Sequence, residues 1–125
     1  MNNWVSVINT STGGDTLLRA RWCASYLCRL RGLTLRRSLP EGEGLLLVDG
    51  QETLRNAAIH MLGVFFPIGV AWITRDHVVV DLTLAKPWGF YVPKGRAQYI
   101  LEGPPSMLES ITIGDKLEFV DVEAA

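Results

Sequence analysis

The uncharged run between Arg55 and Arg75 constrains the fold of this chain more than any other stretch of its sequence. Its length approaches the ~20 apolar residues that a membrane-spanning helix needs. Pro67 interrupts the run, however, and Gly63 and Gly69 weaken any helix that includes them. Its valines and aromatic residues favour the pleated surface of a β-sheet. The run therefore predicts buried strands, and no membrane span is expected.

We expect this run to supply one arm of a central β-hairpin. Two of its segments, Ala58–Met61 and Ile68–Thr74, have the composition of strands, and the glycine and proline residues between them predict a loop. A tight turn at residues 75–77 then leads into the valine-rich segment Val78–Leu84. Ile68–Thr74 and Val78–Leu84 are predicted to pair as the antiparallel arms of the hairpin.

The rest of the chain shows the short strands and turn clusters of a β-rich domain. The other predicted strands are Trp4–Asn9, Thr16–Trp22, Leu45–Val48, Ala97–Glu102 and Lys116–Val120. Two short helices are predicted, Tyr26–Arg31 with a Ser25 cap and a Gly32 stop, and Pro104–Ser110. With 125 residues and no linker, the chain is expected to form one compact domain, 1–125. Its class is mainly β (α+β): about seven short strands in a sheet or partly closed barrel with two short helices.

The charge of the chain is small in total but uneven. The net charge is −1, yet residues 1–40 carry six arginines against one acid, and the remainder carries six basic and twelve acidic residues. Arg29, Arg31, Arg36 and Arg37 form a candidate site for an anion or a nucleic acid. The plainer interpretation is a solvated face that pairs with the acidic part of the chain. A pI near 6.1 also lies far from the basic values typical of nucleic-acid-binding domains.

Cys23 and Cys28 are the only cysteines, and no secretion signal is visible at the start of the sequence. We therefore expect free, buried thiols in a reduced cytoplasmic setting. Zinc binding by both cysteines with His60 and His77 is not expected, because cysteines at this spacing on a helix lie ~140° apart. No metal and no cofactor are predicted.

Several different short motifs occur one after another along the chain. They are Arg29–Leu33, Gly42–Leu47, Ile59–Met61, Phe66–Ile68, Pro87-Trp88, Tyr99–Glu102 and Ile113–Leu117. Their order and spacing, from about Val5 to Val120, resemble the DUF192 family, also called UPF0127, of small bacterial and archaeal domains of unknown function. The resemblance implies a compact, mostly-β domain with short helices, and it implies no established reaction.

The chain departs from the pattern of that family at three positions. The family motif after Pro67 carries an acid where Gly69 stands here, and an acid at the end of the central strand is replaced by Thr74. The Gly-Leu-Met motif of the family ends here in Thr34. A family chemistry that needed a carboxylate at the Gly69 position would therefore not operate in the same way in this chain.

His60 is the strongest candidate for a functional side chain. A histidine in an apolar strand beside a proline-containing loop suits a general base or a ligand contact, although such a ring often only satisfies loop backbone groups. We predict a groove lined by His60, Met61, Pro67 and Trp88, with Arg31 at its rim. Asp81 and Glu102 form a further candidate, a carboxylate pair on neighbouring strands, against the plainer interpretation of isolated acids on a solvent-facing side.

These residues support three functional hypotheses. The first is a non-catalytic module that binds a small ligand or acts as an accessory to a protein partner, because no catalytic constellation accompanies His60. The second is an enzyme that acts on a small molecule with His60 as its acid or base. The third is an anion or nucleic-acid binder that uses the arginines from Arg29 to Arg37.

Overall fold

A seven-stranded sheet that curls into a half-barrel forms the body of the protein in its computed structural model. The structure describes residues 4–25, 28, 32, 38–54 and 57–122. The strands are β1 (Trp4–Asn9), β2 (Thr16–Cys23), β3 (Glu43–Thr53), β4 (Ile59–His60), β5 (Ile68–Ile73), β6 (Val79–Ala85), β7 (Phe90–Tyr91), β8 (Ala97–Gly103) and β9 (Leu117–Asp121). Two 3₁₀ helices span Thr10–Thr12 and Pro105–Ser110. The strand order in the sheet is β6-β5-β8-β3-β2-β1-β9, and β4 pairs with β7 in a separate ribbon. The predicted mainly β class is confirmed.

The predicted central hairpin is confirmed by the pairing of β5 with β6, in which Ile68 lies opposite Ala85. Every residue of β5 is buried, because β6 and β8 flank it and a layer of side chains covers each face. Alternate residues of a strand point to opposite faces, so the two faces of the sheet have separate cores. The inner core includes Val7, Leu46, Ala71, Ile73, Leu101 and Leu117, and the outer core includes Leu45, Met61, Val70, Trp72 and Ile100.

The sheet curls because the starts of β6 and β9 are joined to each other at one end. Val78 and Lys116 form an isolated antiparallel bridge. The amide of Val79 donates to the carbonyl of Asp115 at 2.9 Å, and the amide of Leu117 donates to the carbonyl of His77 at 2.9 Å. The two sides of the sheet thus meet, and residues from distant strands pack together in the inner core.

The Pro105–Ser110 helix closes the inner face by packing against glycine positions in the sheet. A Cβ atom added at Gly69 would lie 3.1 Å from Cγ of Leu108 and 3.1 Å from the carbonyl oxygen of Pro104. Gly69 is itself buried. An acidic side chain at this position in this chain would therefore displace the helix.

The β4–β7 ribbon lies over the outer face and closes the outer core. The indole nitrogen Nε1 of Trp72 donates a buried hydrogen bond of 2.7 Å to the carbonyl of Ala57, just before β4. Ile59 and Met61 pack into the outer core from the ribbon side. Cys28 and Leu39 pack against the same core from the segment between β2 and β3.

The expectation of free cysteines is wrong, because Cys23 and Cys28 form a disulfide. Cys23 belongs to strand β2 and not to a helix, so the angle between two helical positions does not apply. The Cα atoms of the two cysteines lie 5.6 Å apart, within the range that a disulfide bridges. The bond ties the segment after β2 to the buried end of that strand.

Other local predictions differ from the structure in extent. The strand predicted at Leu45–Val48 runs from Glu43 to Thr53, with an irregular register after Val48. Of the predicted Tyr26–Arg31 helix, the described parts are the Ser25 cap, whose Oγ accepts the amide of Cys28 at 3.1 Å, and the Gly32 amide, which donates to the Cys28 carbonyl at 2.9 Å. The rest of that helix lies outside the described residues.

We predict that Gly69→Asp lowers the free energy of unfolding by about 2–4 kcal/mol, because it adds a side chain and a charge to a buried contact with the Pro105–Ser110 helix. Gly50→Asp is the matched control, since nothing lies within 4 Å of a Cβ atom at Gly50. That control is expected to change stability by no more than ~0.5 kcal/mol. Urea denaturation measures both values, and equal midpoints for the two variants would contradict the prediction.

We predict that reduction of the Cys23–Cys28 disulfide lowers the free energy of unfolding by about 2 kcal/mol, the chain-entropy value for so short a loop. Urea denaturation with and without dithiothreitol measures this difference. A Cys23→Ala/Cys28→Ala double variant is the control. It contains no disulfide, so its urea midpoint is expected to be the same with and without dithiothreitol. The prediction fails if the wild-type midpoint is the same in both conditions.

Candidate functional site

The β4–β7 ribbon contains His60, and the predicted site residues Met61 and Trp88 lie next to it in the chain. Ile59 pairs with Tyr91 and faces the outer core, and His60 pairs with Phe90. Both His60 and Phe90 are exposed, since alternate residues of a strand face opposite ways. The ribbon thus has one buried face and one face toward solvent.

The backbone of Met61 fixes the loops at the end of the ribbon. Its amide donates to the carbonyl of Gly89 at 2.7 Å, and its carbonyl accepts the amides of Trp88 at 2.9 Å and Val64 at 3.1 Å. The side chain of Met61 is 1% exposed and belongs to the outer core. Met61 therefore fixes the loops at Val64 and Trp88 through its backbone, and its side chain faces the core and not solvent.

The loop that precedes β7 has an unusual backbone conformation. Trp88 has a φ of 68°, in the left-handed region that non-glycine residues rarely adopt. A Cβ atom at Gly89 would lie 2.8 Å from the ring of Tyr91, so a larger residue would displace that ring. The Tyr91 hydroxyl in turn accepts the amide of Lys86 at 2.8 Å. These contacts hold the Trp88 side chain in a defined position outside the core.

Exposed apolar side chains cluster on and beside the ribbon. We call this cluster the ribbon surface; it consists of Leu62, Phe65, Trp88, Phe90 and Val92, each more than half exposed. The rings of Phe65 and Trp88 make an edge-to-face contact with centroids 5.5 Å apart. Large apolar side chains in one exposed cluster mark interaction sites more often than chance.

His60 lies at the edge of the ribbon surface. The His60 side chain is exposed, and its ring makes no hydrogen bond to the residues that the structure describes. Acid–base catalysis needs a second positioned group, and none contacts His60 among the described residues. Its position suits a polar contact at the rim of an apolar surface.

The other predicted site residues fall in different places. Pro67 is exposed at the start of β5. Arg31, Arg29, Arg36 and Arg37 lie outside the described residues. Four residues of the ribbon surface were not predicted from the sequence: Leu62, Phe65, Phe90 and Val92. No local pattern indicated Phe90 or Val92, because Tyr91 between them is also apolar and β7 has only two residues.

The two candidate carboxylates do not form a pair on neighbouring strands. Asp81 is in β6 and Glu102 is in β8, with β5 between these strands. Both side chains are buried, contrary to the expectation of solvent-facing acids. Asp81 accepts the amides of Leu82 at 2.8 Å and Lys94 at 3.0 Å, so it holds the local backbone.

Glu102 is the more unusual of the two acids. It lies opposite Leu45 of β3 and Val70 of β5, two residues of the outer core. Burial away from water raises the pKa of Glu102 from 4.5 to about 7. No hydrogen bond to its carboxylate comes from the described residues.

The fold and the exposed ribbon surface define a small β-rich domain without a recognised catalytic centre in its described part. No helix among the residues that the structure describes is long and apolar enough to cross a membrane. The model of the DUF192 family, described as an uncharacterized ACR, matches residues 7–119. The chain belongs to this family, and the resemblance seen in its sequence is confirmed.

Relatives with known sequences have the same family name. A UPF0127 protein of Pyrococcus furiosus is 36% identical over 115 residues, which cover 90% of this chain and 97% of the relative. A UPF0127 protein of Thermococcus kodakarensis is 34% identical and covers 94% of this chain and 74% of the relative. These names carry no reaction or ligand.

Solved structures share the fold. The crystal structure of a Sinorhizobium meliloti protein, described as a candidate transcription regulator, has a TM-score of 0.82 at 20% identity and covers 95% of this chain and 94% of that one. A protein of unknown function from Novosphingobium aromaticivorans has a TM-score of 0.78 at 22% identity and covers 92% and 83%. At these identities the likeness establishes the fold alone.

The raised pKa of Glu102 predicts a specific dependence of stability on pH. Between pH 4.5 and about 7 the folded protein holds a proton that the unfolded chain has lost, so this group makes stability fall as the pH rises through that window. Above pH 7 the full free-energy cost of ionising the buried Glu102 carboxyl group, about 3 kcal/mol, is present. Glu102→Gln removes this cost, so its gain over wild type is expected to be larger at pH 8 than at pH 4.5.

Urea denaturation at both pH values measures this gain. Glu118→Gln, at an exposed position of β9, is the matched control and is expected to show no comparable gain at pH 8. A Glu102→Gln variant whose stability relative to wild type is the same at both pH values would show that burial does not raise the pKa of this carboxyl.

Proposed function

We propose that this protein is a non-catalytic binding module that holds an apolar group of a small ligand or of a partner protein on the ribbon surface. The groove predicted near His60, Pro67 and Trp88 is part of this proposal, because Trp88 belongs to the ribbon surface and His60 pairs with Phe90 of that surface. The observation that carries the proposal is the cluster of exposed apolar side chains on a fixed backbone. A surface that is ordered before binding loses little conformational entropy when a ligand arrives.

Two features support binding by this surface. Trp88 and Phe90 present large, rigid aromatic side chains, and such residues dominate the energetics of interfaces. His60 adds a hydrogen-bonding group at the edge of an otherwise apolar area, and a few polar groups on an apolar wall are typical of ligand sites.

Two alternatives from the sequence remain, and each has its own measurement. An enzyme that uses His60 as its acid or base would show turnover that follows the titration of one histidine and vanishes in His60→Ala. An anion or nucleic-acid binder would respond through the arginines from Arg29 to Arg37, with binding that weakens steeply as salt is added.

The cytoplasmic location expected from the sequence is a separate proposal. The Cys23–Cys28 disulfide weighs against a reducing compartment, because cytosolic proteins of mesophiles rarely keep disulfides. Intracellular proteins of hyperthermophiles are an exception, and relatives of this chain occur in Pyrococcus and Thermococcus. Cell fractionation with thiols trapped by alkylation tests this proposal directly.

The binding proposal is tested by an amide chemical-shift map with indole and with 8-anilinonaphthalene-1-sulfonate as probes. We expect chemical-shift changes at His60, Trp88 and Phe90. We also expect Trp88→Ala to weaken binding by about tenfold, since an aromatic side chain that becomes buried on binding contributes more than ~1 kcal/mol. Ile113→Ala is the matched control, because Ile113 is a similarly exposed apolar residue outside the ribbon surface. Shifts spread over the molecule, or an equal effect of both variants, would refute the proposal.

A further inference from the structure

We propose that the ribbon surface docks this protein on the headgroup region of a bilayer that contains anionic lipids. This inference rests on the proposed binding function of the same surface and assigns a lipid surface to it in place of a free ligand or a partner protein. The apolar side chains would enter the boundary between headgroups and acyl chains, and the cations around them would contact lipid phosphates.

The first argument is the kind of side chain that is exposed. Phe65, Trp88 and Phe90 are 59%, 56% and 69% exposed. With roughly 150–250 Å² for each aromatic side chain, these three alone expose about 350 Å² of apolar surface. That value falls within the range of the largest apolar patch on a typical monomer. Tryptophan is also the residue most typical of the membrane–water interface.

The second argument is the sign of the charge around this surface. Lys86, Lys94 and Arg96 are exposed in the segment that carries Trp88 and Phe90. No acidic residue occurs among residues 82–101 or among residues 57–74, the two segments that contain the ribbon and its loops. The acidic excess of the chain therefore lies elsewhere in its sequence. Lys86 is two residues from Trp88, and Lys94 is two residues from Val92. Exposed cations so close in the chain to apolar side chains complement the negative charge of anionic headgroups.

The third argument separates a bilayer from a nucleic acid. Single-stranded nucleic acids need aromatic rings for stacking and a groove of many cations along the backbone. The ribbon surface includes the aliphatic residues Leu62 and Val92, which offer no stacking face, and only three cations border it in the two segments. Aliphatic and aromatic side chains together suit the boundary between the headgroups and the acyl chains of a bilayer.

The test is co-sedimentation of the protein with vesicles of phosphatidylcholine alone and of phosphatidylcholine with phosphatidylserine. We expect binding to the mixed vesicles that weakens with salt. Each lysine near an anionic bilayer surface raises the partition roughly fivefold, so Lys86→Gln/Lys94→Gln is expected to lower it by roughly thirtyfold. Phe90→Ser is expected to lower it by about tenfold or more. Lys116→Gln and Ile113→Ser are the matched controls and are expected to partition like wild type.

Tryptophan fluorescence gives an independent readout. Brominated phosphatidylcholine in the mixed vesicles quenches a tryptophan that enters the bilayer. Trp88→Phe is expected to remove that quenching, because Trp72 is 1% exposed, Trp22 packs against the inner core, and Trp4 lies in β1, which does not pair with the ribbon. No sedimentation with either vesicle, equal loss in the controls, or binding to a short single-stranded RNA in place of vesicles would overturn the proposal. If indole still binds at Trp88 while vesicles do not, only the bilayer is excluded and the binding function stands. If neither binds, both proposals fail.

Discussion

The complete burial of β5 is the constraint on which the rest of the structure depends. A strand whose six residues are all covered needs a partner on each edge and a layer over each face. Strands β6 and β8 supply the edges, the Pro105–Ser110 helix and the curled sheet cover one face, and the ribbon covers the other. The ribbon is therefore required to complete the outer core, and its solvent side is free to carry other side chains.

This division of roles explains the form of the candidate site. Ile59, Met61 and Tyr91 face inward and hold the ribbon on the outer core, whereas Phe90 and Trp88 face outward. The inward residues contribute to stability, so the outward residues can change without loss of the fold. A binding surface that is supported in this way from behind stays rigid although it lies in loops and in a two-stranded ribbon.

Much of the sheet was predictable because its strands are long enough to show a period. In β2 the alternation of buried Leu18 and Ala20 with exposed Arg19 and Arg21 is visible in the sequence and is confirmed. The two-residue strand β7 was not predictable from the sequence, because its pairing with β4 defines it and two residues show no period. The Cys23–Cys28 disulfide depends on where β2 ends, and strand boundaries are what sequence patterns locate least well.

The candidate site was predictable only in part for the same reason. His60 and Trp88 stood out by residue type, but the left-handed backbone at Trp88 is set by contacts with Met61 that no local pattern indicates. The burial of Glu102 had a signal, since it is two residues from Ile100 and so shares its face of β8. Acids on strands usually face water, and that general preference outweighed the signal.

The carboxylate of Asp81 has a consequence for how copies of this protein meet. Strand β6 is the outermost strand at one side of the sheet, and an outermost strand offers unpaired amides to any other chain that approaches. The Asp81 carboxylate accepts hydrogen bonds from the amides of Leu82 and Lys94, so the backbone at Lys94 is bonded to β6. The Leu82 amide is therefore not available to a strand of a second molecule, which limits the extension of the sheet along β6.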